Sequence, residues 1–246
     1  MKPLAFYTES FGCQMNVYET DVISSLLVER GARPVDAPAE ANCIIVNTCS
    51  VRDHAERRAM GRLLDLSRHR DAVLVVCGCM AQRLGTELFS TVPAVRVIAG
   101  TDAYASLPQA IEEALATGDR FALLDRNDEA VYELHRAPDQ TGVSRYVAIT
   151  RGCENFCSYC IVPYVRGPVR SRGEASIIRE ISSLERAGVR EITLLGQNVI
   201  DYRDGNIDFV GLVRRALSET GIGRFRFLTS HPRDLSPEIF ALMADD

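Results

Sequence analysis

The feature that most constrains the fold is an alternation of short apolar runs with helical patterns in the first half of the chain. The apolar runs cover residues 4–7, 43–47, 73–77 and 95–98. The helical patterns that follow them cover about residues 17–30, 53–70, 81–89 and 103–116. Continuous apolar runs separated by helices are typical of parallel strands that are covered on both faces. The sequence therefore predicts a doubly wound α/β domain with a parallel sheet over residues 1–120.

Three cysteines follow three of these predicted strands. Cys13 follows the run at 4–7, Cys49 the run at 43–47 and Cys79 the run at 73–77. Because the carboxyl ends of parallel strands lie on one edge of a sheet, we expect the three thiols to converge. They can then hold a 4Fe-4S cluster with one iron left open, or they can be buried small hydrophobic residues. The second interpretation is preferred for Cys43 and Cys77, which lie within the strands.

Two asparagines flank this first cysteine set. Asn16 and Asn47 lie three residues after Cys13 and two residues before Cys49. They can orient the ligands from outside, or they can form turns by hydrogen bonding to the backbone. Both interpretations stay open from the sequence.

The second cysteine set is a loop with the spacing C-x3-C-x2-C. Cys153, Cys157 and Cys160 form the array, and Tyr159 precedes the last thiol. Structural zinc requires a fourth ligand, whereas three thiolates can hold three irons of a 4Fe-4S cluster. The loop therefore predicts an iron–sulfur site at which another group binds the fourth iron.

The rest of the chain predicts a linker and three further βα units. Residues 121–144 form the linker, with weak strand patterns at 121–124 and 131–134 that add an edge hairpin to the second domain or stay extended. The second domain covers 145–246, with strands at 145–150, 191–195 and 224–229. Its helices cover about residues 174–187, 209–220 and 236–243. In such a parallel sheet the loops after the strands carry the chemistry.

Composition indicates an ordinary globular protein that uses its cysteines for metal or redox chemistry. The 246 residues include eight cysteines, and the formal net charge is −5. That charge argues against a whole-surface nucleic-acid binder, although a local basic patch stays compatible with it. No apolar run is long enough to span a membrane, so we expect a cytoplasmic protein without a membrane partner. In such a compartment, a disulfide framework is not expected.

Four polar residues near the predicted loops are further candidates. Arg166, Arg170 and Arg172 follow the cysteine loop, and a guanidinium fork suits the carboxylate of a cofactor or the phosphate of RNA. The alternative is a solvated basic loop before a helix. His231 precedes a proline, and we interpret it as a hydrogen-bonded structural residue.

Six short motifs follow one another along nearly the whole chain. They are Gly-Cys-Gln-Met-Asn at 12–16, Asn-Thr-Cys-Ser-Val-Arg at 47–52, Cys-Gly-Cys-Met-Ala-Gln-Arg at 77–83, the loop at 153–160, Leu-Gly-Gln-Asn at 195–198 and Thr-Ser-His-Pro at 229–232. Together they resemble the methylthiotransferase family of radical S-adenosylmethionine (SAM) enzymes, and most closely its branch that acts on isopentenylated adenosine in tRNA. Where that family has Asp-Ser-Glu after the first motif, this chain has Val-Tyr-Glu, which retains Glu19.

The resemblance implies two 4Fe-4S clusters and SAM as cofactors. Cys153, Cys157 and Cys160 hold the cluster that cleaves SAM to a radical, which abstracts hydrogen from C2 of the adenosine next to the anticodon. The auxiliary cluster on the first cysteine set carries the sulfur to be inserted, and a second SAM supplies the methyl group. Five residues are implied at the SAM site, but no catalytic side chain can be named. The five residues are Tyr159, Gly196, Gln197, Asn198 and Ser230.

The resemblance also implies partners and a longer architecture. The partners are a tRNA substrate, an external electron donor and a sulfur donor, and we expect a monomer. Radical SAM domains are six-unit partial (βα)6 barrels, so we expect this chain to hold the first half of one and to lack the family's C-terminal RNA-binding β-barrel. The alternatives are methylthiotransferases for threonylcarbamoyladenosine in tRNA or for a ribosomal-protein aspartate. An inactive or electron-carrying iron–sulfur fragment and a zinc module are the rivals from other classes.

Overall fold

The computed structural model describes residues 3–127 and 142–244, which form two compact units. Among these residues, the first unit comprises 3–127 and 157–166, and the second comprises 142–156 and 167–244. The weak strand pattern at 131–134 lies outside the described residues. The α/β fold class is confirmed in both units.

The first unit is built on a six-stranded sheet in which every pairing is parallel. The strand order is β2-β1-β3-β4-β5-β6, so the chain reverses its direction of growth between β1 and β3. In open α/β sheets, that reversal opens a crevice outside the carboxyl ends of the two strands. The strands are β1 (Ala5–Ser10), β2 (Arg33–Pro34), β3 (Cys43–Thr48), β4 (Val73–Gly78), β5 (Val95–Ala99) and β6 (Phe121–Leu123).

Helices cover both faces of this sheet, as the apolar runs predicted. One face packs against α2, α3 and α4, whose apolar residues share a core with alternate residues of β3 and β4. The helices α1 and α5 contact each other and the same strands. The helices are α1 (Gln14–Glu29), α2 (Asp53–Leu66), α3 (Cys79–Leu84), α4 (Glu87–Thr91), α5 (Leu107–Thr117) and α6 (Val162–Arg166).

Three local expectations for the first unit are corrected. The helix expected over about 81–89 is two helices, because Gly85 adopts a φ of +55° and ends α3. Helix α1 begins at Gln14 rather than near residue 17, because Cys13 caps its first turn. Strand β6 does not add to the second domain, since it pairs with β5 as the sixth strand of the first sheet.

The second unit is the expected series of three βα units. Its parallel sheet has the order β13-β10-β7, and α7, α8 and α9 follow the three strands. Two short antiparallel pairs, β8–β9 and β11–β12, were not expected from the sequence. The elements are β7 (Ser144–Ala148), β8 (Thr150–Arg151), β9 (Arg170–Ser171), α7 (Glu174–Arg186), β10 (Glu191–Leu195), β11 (Arg203–Asp204), β12 (Ile207–Asp208), α8 (Phe209–Glu219), β13 (Arg224–Phe227) and α9 (Pro237–Ala244).

Candidate functional site

The fold brings the first cysteine set together at one edge of the six-stranded sheet. Cys13 caps α1 just after β1, Cys49 directly follows β3, and Cys79 begins α3 directly after β4. These three strands are neighbours in the sheet, and the reversal of strand order lies between the first two. Cys13 Sγ donates to Asn16 Oδ1 at 3.3 Å, and Cys49 Sγ accepts from the Val51 amide at 3.4 Å. Cys49 and Cys79 are buried, whereas Cys13 is partly exposed.

Two glycines permit the close approach of these strand ends. Gly12 has a φ of +142°, and a Cβ on it would overlap Cys49 Cβ and lie 2.6 Å from Asn16 Oδ1. Gly78 has a φ of +92°, and a Cβ on it would overlap the Thr48 carbonyl oxygen. Both positions therefore require glycine for space as well as for backbone conformation.

The two flanking asparagines connect the cysteine loops to each other. Asn16 Nδ2 donates to Asn47 Oδ1 and to the Thr48 carbonyl, each at 3.0 Å. In return, Asn47 Nδ2 donates to the Asn16 carbonyl at 3.0 Å and to Thr20 Oγ1 at 3.2 Å. Asn16 Oδ1 also accepts from the Cys13 amide at 3.3 Å. The pair is buried, so these side chains orient the cysteine loops rather than form isolated turns.

A buried arginine contacts the third thiol of the set. Arg166, at the end of α6, donates from Nε to Cys79 Sγ at 3.2 Å. Its two terminal nitrogens donate to the two Glu19 oxygens at 2.6 and 2.9 Å. Tyr104 Oη donates to Glu19 Oε2 at 3.2 Å. The arginine and glutamate side chains are each 2% exposed, so this bidentate ion pair lies inside the first unit.

The surroundings shift the pKa values of the three thiols in different directions. The pKa of Cys13 lies below its ordinary value, because Cys49 donates a hydrogen bond to it and Arg166 and the Asn16 amide favour the thiolate. The pKa of Cys49 is raised by this same hydrogen bond and by burial. Burial raises the pKa of Cys79, and Arg166 opposes that effect. Metal binding at this set would therefore release protons from Cys49 and Cys79.

The chemistry of this donor set fits an iron–sulfur cluster. Three thiols lie at one edge beside a cation, and the nearby carboxylate of Glu19 is occupied by that cation. Within the described part of the chain, no three Cys, His, Asp or Glu side chains are already spaced to hold a single metal ion. A cluster with three thiolate ligands and one open iron does not require such a closed arrangement.

The second cysteine set is divided between the two units. In the second unit, Cys153 is buried and its amide donates to the Gly167 carbonyl at 3.1 Å. In the first unit, Cys157 and Cys160 are half-buried, and the Cys160 amide donates to the Cys157 carbonyl at 2.9 Å. Tyr159 between them is 90% exposed.

The predicted SAM-binding residues of the second unit lie in the loops after β10 and β13. Gln197 Oε1 accepts from the Gly152 amide at 2.7 Å, next to Cys153. Asn198 is buried, donates to Asp234 Oδ2 at 2.6 Å and accepts from the His231 amide at 2.9 Å.

Gly196, Ser230 and His231 belong to the same two loops. A Cβ on Gly196 would overlap the Thr150 hydroxyl, and Ser230 is half-buried. His231 Nδ1 accepts from the Arg233 amide at 3.3 Å, which is the structural role expected for it. A role for the loops in binding SAM stays a prediction.

The structure corrects the prediction for two of the three arginines. Arg166 is buried against Glu19, as described above. Arg172 is 1% exposed, pairs with Glu180 at 2.7 Å and donates to the Ala148 carbonyl at 2.8 Å. A guanidinium that is buried in an ion pair cannot contact the phosphate of an external RNA, so that role is wrong for both, whereas a role at a cofactor carboxylate stays a prediction. Arg170 is largely buried on β9, and its role stays a prediction.

Sequence reasoning missed the partners of the buried arginine. Glu19 was noted only as a retained family residue, and Tyr104 was not singled out. The available signal was a carboxylate three residues after Asn16, which places both on one face of α1. A charge on the buried face of a helix requires a partner.

Among the described residues, no helix combines the length and the apolar character needed to cross a membrane.

Two family models match the chain, one in each half. Residues 5–100 match the uncharacterized protein family UPF0004, and residues 147–245 match the radical SAM superfamily. The first match contains all three cysteines of the first set, and the second contains the C-x3-C-x2-C loop.

Curated relatives match nearly the whole chain. A protein of Desulfosudis oleivorans is 43% identical over 96% of this chain, and one of Geobacter metallireducens is 45% identical over 97%. Both are named tRNA-2-methylthio-N(6)-dimethylallyladenosine synthase. The chain covers 52% and 56% of these proteins, so it spans about half the length of the curated relatives it matches.

Solved structures of radical SAM proteins share the fold at low sequence identity. The methyltransferase TsrM from Kitasatospora setae aligns with 99% of this chain and 57% of its own, with a TM-score of 0.66 and 13% identity. The cobalamin-dependent radical enzyme OxsB aligns with 89% of this chain and 37% of its own, with a TM-score of 0.54 and 10% identity. The two family matches follow one another along the chain, which is thus similar to the tRNA methylthiotransferases over nearly its whole length and matches a radical SAM domain over residues 147–245.

Proposed function

We propose that this chain provides both cluster-binding cysteine sets of a tRNA methylthiotransferase. The substrate position is C2 of N6-dimethylallyladenosine next to the anticodon. The names of the curated relatives support this substrate. The observation that carries the proposal is the first cysteine set, in which three thiols from three strand ends meet beside a buried cation. A radical SAM protein that only cleaves SAM has no need of this second donor set.

The residues of the chain divide into two groups of ligands and their supports. Cys13, Cys49 and Cys79 would hold the auxiliary cluster, with the asparagine pair keeping their loops in position. The loop cysteines, Cys153 with Cys157 and Cys160, would hold the radical SAM cluster. When bound, these groups together with SAM supply one-electron chemistry and the sulfur and methyl group that are transferred.

The remaining predicted residues would bind and orient the cofactor and its partners. The residues proposed for SAM are the loop at 196–198, Tyr159 and Ser230, and Arg170 is proposed for a carboxylate or phosphate. The reaction also requires an external electron donor, a sulfur donor and tRNA. We propose these partners, and a cytoplasmic localisation, for the whole protein.

Iron content tests the two-site proposal directly. Anaerobic reconstitution of this chain is expected to give about eight irons, and replacing either cysteine set with alanine is expected to leave about four. The matched controls are Cys43→Ala and Cys77→Ala, because these buried thiols lie inside β3 and β4 and should not change the iron content. A variant that lacks Cys13, Cys49 and Cys79 but keeps the full iron content would overturn the proposal.

The substrate is tested in a strain that lacks the gene. Mass spectrometry of its tRNA nucleosides should show loss of the 2-methylthio form of N6-dimethylallyladenosine and accumulation of the unmodified form. Reintroducing the gene should restore the product, whereas a gene with the first cysteine set replaced should not. Unchanged product in the deletion strain, with loss of a methylthiolated threonylcarbamoyladenosine instead, would move the chain to the sister branch.

A further inference from the structure

We propose that Arg166 is a positioning residue that sets the charge at the Cys79 sulfur and thereby raises the reduction potential at the first cysteine set. The inference rests on the proposed function, because it requires a cluster on Cys13, Cys49 and Cys79. It assigns a role to an arginine that follows the second cysteine motif but acts on the first.

The geometry divides the three nitrogens of Arg166 between two partners. Nε–H points to Cys79 Sγ at 3.2 Å, while both terminal nitrogens bind Glu19. An arginine side chain stays protonated in proteins, so this donor is present at every physiological pH. At 2% exposure, water does not compete for the hydrogen bond.

The surroundings hold the guanidinium in this orientation. Glu19 accepts a further hydrogen bond from Tyr104 at 3.2 Å, which limits the movement of the carboxylate. The end of α6 is itself attached, because Thr101 Oγ1 donates to the Val165 carbonyl at 2.9 Å. The hydrogen bond to the sulfur is therefore directed by the fold of the first unit, and a flexible surface cation would not reproduce it.

The direction of the effect follows from electrostatics. Reduction adds negative charge, and hydrogen bonds to ligand sulfurs together with local net charge set the reduction potentials of iron–sulfur clusters. The Arg166 guanidinium, which is both a hydrogen-bond donor and a cation at Cys79, stabilises the reduced state. The Glu19 carboxylate on the far side of the guanidinium opposes that effect. Because Arg166 and Glu19 carry opposite charges, removing one should shift the potential in the opposite direction from removing the other.

The experiment uses the reconstituted 246-residue chain with Cys153, Cys157 and Cys160 replaced by alanine, so that one cluster gives the signal. Its midpoint potential is measured by an equilibrium redox titration that is monitored by electron paramagnetic resonance. In this background, Arg166→Gln should move the midpoint to a more negative value, and Glu19→Gln should move it to a more positive value.

Two further sets of variants separate this role from a structural one. Arg62→Gln and Glu9→Gln break another bidentate ion pair of the first unit, whose described hydrogen-bond partners include no thiol, so they should leave the midpoint unchanged. Arg166→Lys keeps the charge but not the fork and should fall between Arg166→Gln and the parent. If a single variant does not fold, the double variant with Arg166→Gln and Glu19→Gln removes both buried charges. Because it also removes the hydrogen bond that Arg166 Nε donates to Cys79 Sγ, it should still shift the midpoint to a more negative value.

The outcomes distinguish the two proposals. If the background protein binds iron but the midpoint does not respond, or responds in the same direction to Arg166→Gln and Glu19→Gln, this inference is overturned and the proposed function stands. If the background protein binds no iron, both fall.

Discussion

The contribution of the buried asparagine pair is open to direct measurement through Asn16→Ala. The substitution removes the donor to Asn47 Oδ1 and the donor to the Thr48 carbonyl. Leaving a buried acceptor without a partner costs about 1–3 kcal/mol, so two acceptors cost about 2–6 kcal/mol. The free energy of unfolding of a domain is roughly 5–15 kcal/mol, so this loss is a large fraction of the stability of the first unit.

The assay is urea unfolding of the reduced, metal-free protein, followed by iron content after reconstitution. Gln14→Ala is the matched control, because Gln14 is exposed on the same helix and should change the free energy of unfolding by less than about 0.5 kcal/mol. Asn16→Asp keeps the shape and the acceptor for Cys13 but loses both donated hydrogen bonds, so it should be at least as destabilising as alanine. A loss below about 1 kcal/mol for Asn16→Ala would refute this reasoning.

Three further changes test the first and second units. Gly78→Ala would place a Cβ against a neighbouring strand, whereas Gly31→Ala, at a φ of +83° with no atom within 4 Å, is strained only in its backbone; thermal unfolding should therefore show a larger loss for Gly78→Ala. Burial alone would raise the pKa of Glu9, but hydrogen bonds from Arg62 lower this pKa below the ordinary value of 4.5. The ion pair therefore stabilises the fold fully above pH 4.5, and this stabilisation is lost as the pH falls through the lowered pKa. Glu9→Gln should accordingly lower the urea midpoint more at pH 7 than at pH 3, and an equal loss at both values would contradict the assignment. Arg172→Met leaves a buried carboxylate without its cation and should cost about 3–5 kcal/mol by the same urea assay, with a cost under about 1 kcal/mol contradicting the buried ion pair.

The position of the first cysteine set in the fold follows largely from the alternation of apolar runs and helical patterns in the sequence. The apolar run over 43–47 predicts a strand, and a parallel sheet places the residues after it at the ligand-binding edge. That reasoning located Cys49, Cys13 and Cys79 without any long-range information. It also separated Cys43 and Cys77, which the structure shows fully buried within their strands.

The remaining features depend on contacts that no local pattern encodes. Arg166 and Glu19 lie 147 residues apart, and a run of arginines after a cysteine loop is equally typical of a phosphate-binding surface. The break at Gly85 depends on a positive φ, although glycine also occurs within helices. Strand β6 is short and weakly apolar, so its local pattern does not indicate that it pairs with β5 at the edge of the first sheet.

The composition of the first unit from two separate stretches of chain has a consequence during synthesis. Residue 19 leaves the ribosome 147 residues before its buried cation does. At about 5–20 residues per second, this interval is about 7–30 s. A carboxylate buried without its cation is strongly destabilising, so the nascent sheet cannot close around α1 with its final stability until residue 166 has emerged. The order of translation therefore delays the final folding of the first cysteine set until the second cysteine set has been synthesised.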